Sequence, residues 1–259
     1  MLTVEAPKFT VLPKEGAHAP ATVRATFDVD TSCVPQGMST ASRRYTIDWG
    51  DSTETTVHEV TPSPCSTVIP GPQTITQQSF VHPYTDSGSR TVRLSVSNGI
   101  VSYNASSSVN LGSTKFTVSP SFFTDPPYNA EAVFDIDQSC SASPSGATAT
   151  YTVDWGDGTT PSVRTAALPT CGTTHSANVA VDQRLPHTYA KTGDFTARLT
   201  VTRSDVPGGA VTKTKGVGVH TSTTTYLWST FKALLTGDES LTAAANNAAS
   251  AFYLWSSGK

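Results

Sequence analysis

Charge is the first thing this sequence has little of. Asp, Glu, Lys and Arg make up 14% of 259 residues, and the net charge is −3. Long charged helices are disfavoured by such a composition, and the abundant Thr, Ser, Pro and Gly favour many short strands joined by turns. Clustered Lys and Arg are lacking, which argues against a nucleic-acid-binding surface. No apolar run approaches the roughly 20 residues of a membrane-spanning helix. The stretch Met1-Leu2-Thr3-Val4-Glu5-Ala6-Pro7 shows no basic segment followed by an apolar core, so it is not read as a secretory signal. Catalytic signatures are missing as well: there is no Gly-x-Ser-x-Gly, no His-Glu-x-x-His and no phosphate-binding loop. No cofactor is expected, and an enzyme is the least supported reading.

What is present is one stretch, used twice. Tyr151-Thr152-Val153-Asp154-Trp155-Gly156-Asp157-Gly158-Thr159 has a near-copy in Tyr45-Thr46-Ile47-Asp48-Trp49-Gly50-Asp51-Ser52-Thr53. Tyr, Val or Ile, and Trp alternate with Thr and Asp, which places the apolar residues on one face of a strand and the Trp in a core. Gly-Asp-Gly then supplies positive φ and a side chain that bonds its own backbone, the chemistry of a tight reversal.

The duplication extends well beyond this stretch. Phe9-Thr10-Val11 matches Phe116-Thr117-Val118, Phe27-Asp28-Val29-Asp30 matches Phe134-Asp135-Ile136-Asp137, and Cys33 matches Cys140, all 107 residues apart. Cys65 and Cys171 match at 106, while His82 and Tyr84 match His187 and Tyr189 at 105. Offsets drifting by two residues mean two copies of one domain with small loop insertions. The first copy ends in a hairpin signal, Asn98-Gly99, which the second replaces with a longer loop, Ser204-Asp205-Val206-Pro207-Gly208-Gly209. About seven short strands per hundred residues with a core Trp fit an immunoglobulin-like β-sandwich. The expected layout is a sandwich with an N-terminal arm over 1–112, a second sandwich over 113–220 and a helical tail over 221–259.

Tyr-x-Val-Asp-Trp-Gly-Asp-Gly, then His-x-Tyr, Gly and an alternating Leu-x-Val strand, resembles the polycystic-kidney-disease (PKD) domain family over residues 8 to 219. The resemblance implies β-sandwiches used as extracellular spacers and adhesive modules, with Trp49, Asp51, His82 and Tyr84, and Trp155, Asp157, His187 and Tyr189, as the structural motif. Copy one departs from the pattern at Ser52, where the turn Gly is expected, and at Arg90, where the family often has an aromatic. Some relatives bind calcium. Asp28 and Asp30, or Asp135 and Asp137, share a strand face and are weak candidates, but no spacing forms a dedicated calcium loop, and turn capping is the favoured role for the Asp residues.

Cys33, Cys65, Cys140 and Cys171 have turn-like neighbours and no Cys-x-x-Cys or nearby His to make a zinc set. The simplest pairing is Cys33–Cys65 and Cys140–Cys171, and buried thiols are the alternative. Disulfides imply a protein that ends outside a reducing cytosol. Of His18, His58, His82, His175, His187 and His220, only His82 and His187 are equivalent, and each is read as a structural histidine opening a strand.

Beyond Val219 the pattern turns helical, after a Ser/Thr-rich linker over 220–225. Tyr226, Leu227, Trp228, Phe231 and Leu234 belong to a first helix, and Leu241, Phe252 and Trp255 recur at helical spacing in a second. Such surface on short helices needs a partner: its own sandwich, another copy, or a larger assembly. The reading that gathers these features is a non-enzymatic structural protein of a phage virion, a capsid decoration or minor capsid protein. Its expected partners are the major capsid protein or itself, with a host-surface glycan as a further possibility. The alternative is a secreted PKD-type binding or spacer module.

Overall fold

The computed structural model describes residues 7–14, 16–35, 42–66, 74–98, 101–120, 122–124, 127–136, 139–172 and 181–220. Every regular element among them is a β-strand. The segment expected to form a helical tail, with Tyr226, Leu227, Trp228, Phe231, Leu234, Leu241, Phe252 and Trp255, lies outside the described residues, as do Asp137 and His175.

Copy one builds two facing sheets. The first has the order β1 (Phe9–Leu12), β2 (Ala21–Asp30), β5 (Ile75–Tyr84); the second has the order β4 (Thr56–Val60), β3 (Arg43–Asp48), β6 (Gly88–Ser97), β7 (Ser102–Leu111). The pairs within these sheets are antiparallel. Alternation drives the packing: on β2, Val23, Ala25, Phe27 and Val29 are buried, while Arg24, Thr26, Asp28 and Asp30 face outward. On the opposite sheet Tyr45, Ile47, Val92, Leu94 and Val109 close the same core, with Phe27 stacked on Tyr45 at 5.5 Å.

Copy two repeats this with one strand more. One sheet has the order β13 (Val181–Tyr189), β10 (Tyr128–Ile136), β8 (Phe116–Ser119). The other has the order β12 (Ser162–Leu168), β11 (Ala147–Asp154), β14 (Gly193–Arg203), β15 (Ala210–His220), β9 (Phe122–Thr124), the last pairing parallel. Its core gathers Phe134, Tyr151, Val153, Leu199, Val201 and Val217. Both copies switch sheets at an equivalent proline. After cis Pro13 the chain crosses to β7, where Asn110 N–H donates to Lys14 C=O and Gly112 N–H to Ala17 C=O; after cis Pro120 it reaches β15 as β9. The two facing sheets of each copy give the immunoglobulin-like sandwich expected from the strand count.

Two local expectations are corrected. His82 and His187 stand near the ends of β5 and β13, not at strand openings. The polar run Thr76-Gln77-Gln78-Ser79 conceals the strand because β5 is an edge strand with little apolar alternation. His220, read as the first linker residue, is the last residue of β15, and its Nε2 lies 3.2 Å from Asp194.

Candidate functional site

Each copy holds the same four-residue cluster at the end of its sandwich. Strand β3 delivers Trp49 into the core at 1% exposure, and its indole N–H donates to Thr56 Oγ1 at 3.0 Å. His82 stacks on the indole at 4.7 Å with an interplanar angle of 12°, and Tyr84 meets the imidazole edge-on at 4.8 Å. The Tyr84 hydroxyl donates to Trp49 C=O at 2.7 Å, and His82 Nε2 lies 2.7 Å from Asp51 Oδ2. Copy two reproduces this with Trp155 N–H to Ser162 Oγ at 3.0 Å, Trp155 and His187 rings 4.4 Å apart, His187 to Asp157 at 2.8 Å and Tyr189 to Trp155 C=O at 3.1 Å.

In each copy the Asp beside the His is also tied into the turn that follows the Trp. Asp51 Oδ1 already accepts from Thr53 N–H at 3.1 Å and Thr53 Oγ1 at 2.6 Å, closing the turn. Asp48 Oδ1 accepts from Gly50 N–H, and Asp154 and Asp157 act likewise on Gly156 and Thr159. Burial pushes the Asp51 carboxyl up, but hydrogen bonds from Thr53 and His82 outweigh it and hold the group below its ordinary value; Asp157 behaves the same way with Thr159 and His187. Burial raises both Tyr84 and Tyr189, keeping them neutral donors. The cluster ties turn, core and edge strand together. Gly50 and Gly156 are required here, since a Cβ would lie 2.5 Å from the carbonyl oxygen of Thr91 or Thr196.

At the opposite pole of each sandwich the cysteines pair as Cys33–Cys65 and Cys140–Cys171. Among the calcium candidates, Asp30 bonds Ser32 N–H at 2.9 Å and pairs with Arg43 at 3.3 Å, while Asp135 is buried beside Lys115 at 4.0 Å. Asp28 stands opposite Gln77 across the strand pair. No group of three or more His, Cys, Asp or Glu suited to a metal occurs among the described residues.

The site the sequence reading missed lies where the two sandwiches meet. The loop Ser204–Gly209 of copy two docks on the end of copy one, and Asp205 is its centre. Arg203 donates from Nε to Asp205 Oδ1 at 2.9 Å and from Nη2 to Oδ2 at 2.8 Å. Thr22 of copy one donates to the same Oδ2 at 2.6 Å, and Ser141 at 2.5 Å. Ala142 N–H in turn donates to Thr22 Oγ1 at 3.1 Å, and Arg24 Nη2 donates to Ala142 C=O. The Arg203 and Asp205 side chains are 1% and 4% exposed. Burial pushes the Asp205 carboxyl up, yet the bonds from Arg203, Ser141 and Thr22 hold it below the ordinary value. Val206 is buried in the same contact, and Gly209 sits so near Thr85 that a Cβ there would be 3.3 Å from the methyl group. Two signals in the sequence mark this joint. The loop is the conspicuous insertion of copy two, and Arg203 continues the inward series Leu199, Val201, where a buried cation demands an acid.

Neither a protein-family profile nor a curated protein sequence matches the chain. Solved structures with all-β similarity include a protein designated BspA_C_mut, at 10% identity over 84% of this chain and 100% of that one, with a TM-score of 0.43. A segment of two fibronectin type-III domains from chicken tenascin is 12% identical over 83% of this chain and 99% of that one, with a TM-score of 0.24. A red sea bream transglutaminase is 12% identical over 85% of this chain, which spans 32% of that enzyme's length, with a TM-score of 0.32. None is similar enough to bear on what this chain does.

Proposed function

We propose that the chain is a non-enzymatic structural spacer: two PKD-type sandwiches joined end to end at a fixed angle, displayed on the outside of a phage particle as a capsid decoration or minor capsid protein. The observation that carries the reading is the buried Asp205 carboxylate. Contacts between domains of one chain are ordinarily modest and permit relative motion. Here a desolvated bidentate ion pair accepts two further hydrogen bonds, one of them from the other sandwich, and that geometry holds only at one relative orientation. A module that transmits position needs such a joint.

The polar groups of the repeated cluster support the same reading, because each is engaged in holding a turn to a core. In this proposal the shell protein, or a second copy, is held through the N-terminal arm and the tail. The disulfides favour a destination outside the cytosol, which also suits the second reading, a secreted spacer module.

Two measurements test the proposal. Small-angle scattering of the full chain is expected to fit one extended shape, with Asp205→Ala broadening the distance distribution; a wild-type curve that requires a flexible ensemble overturns the spacer. Mass spectrometry of purified particles is expected to find the chain at a fixed ratio to shell protein. Its recovery only from particle-free culture medium would overturn the virion setting and leave the secreted module.

A further inference from the structure

Asp135 stands at the end of β10 that feeds the joint, and across the strand pair it faces Asp182 of β13. We propose that these two carboxyls form a proton-operated clasp: on acidification one shared proton bridges them, tightening the strand end that leads toward Ala142, whose N–H donates to Thr22 of copy one. The inference rests on the spacer reading, since it concerns the firmness of the joint.

The geometry makes the pair unusual. Like charges directly opposite across a strand pair repel, and Asp135 is 5% exposed, so water screens it poorly. Three charged groups act on it. Asp182, itself exposed, stands directly opposite on β13, Lys115 approaches to 4.0 Å from the segment before β8, and His18 lies on the arm of copy one. The Lys115 side chain is 83% exposed and therefore a weak counter-charge. The next cation along β13, Arg184, is engaged by Glu131 at 2.5 Å. Copy one supplies a built-in control: the position opposite Asp28 is Gln77, a neutral amide that repels nothing.

Burial, and next the bond from Asp182, push the Asp135 carboxyl above its ordinary value of 3.8, with Lys115 and His18 opposing. A group raised on folding stabilises the fold fully below the ordinary value and loses that contribution as pH rises through the raised one. Asp51, Asp157 and Asp205 are shifted the other way and act in the range below the ordinary value. Between that value and neutrality the clasp is thus the pH-sensitive feature among these four carboxyls.

The test is amide hydrogen exchange on the full chain at about pH 7 and about pH 4.5, corrected for the intrinsic rate. Protection of the β10 and β13 amides around Asp135, and of Ala142 N–H, is expected to rise about threefold on acidification, within the range of a cross-strand pair. The β2 and β5 amides around Asp28 should not change. Asp182→Asn should flatten the response, and Asp135→Asn should hold the strand end protected at both pH values. An unchanged wild type, a rise that persists in Asp182→Asn, or an equal rise around Asp28 would overturn the clasp. Scattering at neutral pH reads the spacer separately, so a stiff chain with flat exchange rejects the clasp alone.

Discussion

Thr22 and Asp205, 183 residues apart in the chain, meet at 2.6 Å, and through that contact the second sandwich is fixed on the first. The contact is asymmetric between the copies. Copy one has only residues 98–101 between β6 and β7 where copy two has the docking loop, and the Thr22 and Arg24 positions are Asn129 and Glu131 in copy two. The same joint therefore cannot repeat itself from chain to chain.

Asp205→Ala leaves Arg203 as an uncompensated buried cation. The expected loss of stability is about 3–5 kcal/mol, the ordinary cost of breaking a buried pair from one side. Thr22→Val removes both the donor to Asp205 and the acceptor of the Ala142 N–H, and should cost about 2 kcal/mol. Denaturant unfolding measures both, and equal effects would contradict the central place of the carboxylate.

Ser52 adopts φ of 66°, where copy two has Gly158 at 82°. A side chain in this region is strained, so Ser52→Gly should raise the stability of copy one by about 1 kcal/mol, and Gly158→Ser should lower that of copy two similarly. Gly50→Ala should be far worse, because the obstruction is the Thr91 backbone itself. Calorimetric melting of each variant checks the order.

Arg90 occupies the position of Phe195, which stacks on Tyr189 at 4.9 Å. Its Nε is buried with no hydrogen-bond partner among the described residues. Arg90→Phe should stabilise copy one by about 1 kcal/mol by removing that donor and completing a ring pair with Tyr84. A lower melting temperature would show that the guanidinium fits its site better than an aromatic.

Acid unfolding has a definite sign. Asp51, Asp157 and Asp205 lie below the ordinary carboxyl value of 3.8 in the fold, so each contributes stability above that value, lost as pH falls through its depressed folded one. His82→Phe keeps the ring stack and removes one donor to Asp51. Its stability advantage at neutral pH over acid should shrink relative to wild type, as a pH series of denaturant midpoints would show.

Reduction should weaken both copies. Each disulfide closes a loop of about 30 residues, worth on the order of 3–4 kcal/mol in the chain-entropy treatment. Melting with and without reductant measures the effect, and unchanged melting after complete reduction would contradict it.

Much of this architecture was legible in the sequence because it depends on local periodicity and on duplication. Alternation marked the faces of β2, β3, β6 and β14; Gly-Asp-Gly and its counterpart Gly50-Asp51-Ser52 marked the turns; equivalent cysteines made Cys33–Cys65 and Cys140–Cys171 the simplest pairing, with buried thiols as the alternative. Two strands escaped this logic. β5 is largely polar because an edge strand needs little apolar alternation, and β9 is three residues that pair parallel with β15.

By itself the sequence determined two copies of one sandwich, the Trp-centred turn and the equivalence of the two cysteine pairs, since each follows from residues near one another or from comparing one copy with the other; that the cysteines are bonded is seen in the structure. The tertiary structure alone decided what His82 and Asp51 do, what faces Asp135, and that Arg203, Asp205, Thr22 and Ser141 converge. Apart from the Arg203–Asp205 pair, two residues apart, those contacts join residues from about 30 to more than 180 positions apart, and the hydrogen bonds that define them depend on angle and distance, which residue identity does not encode.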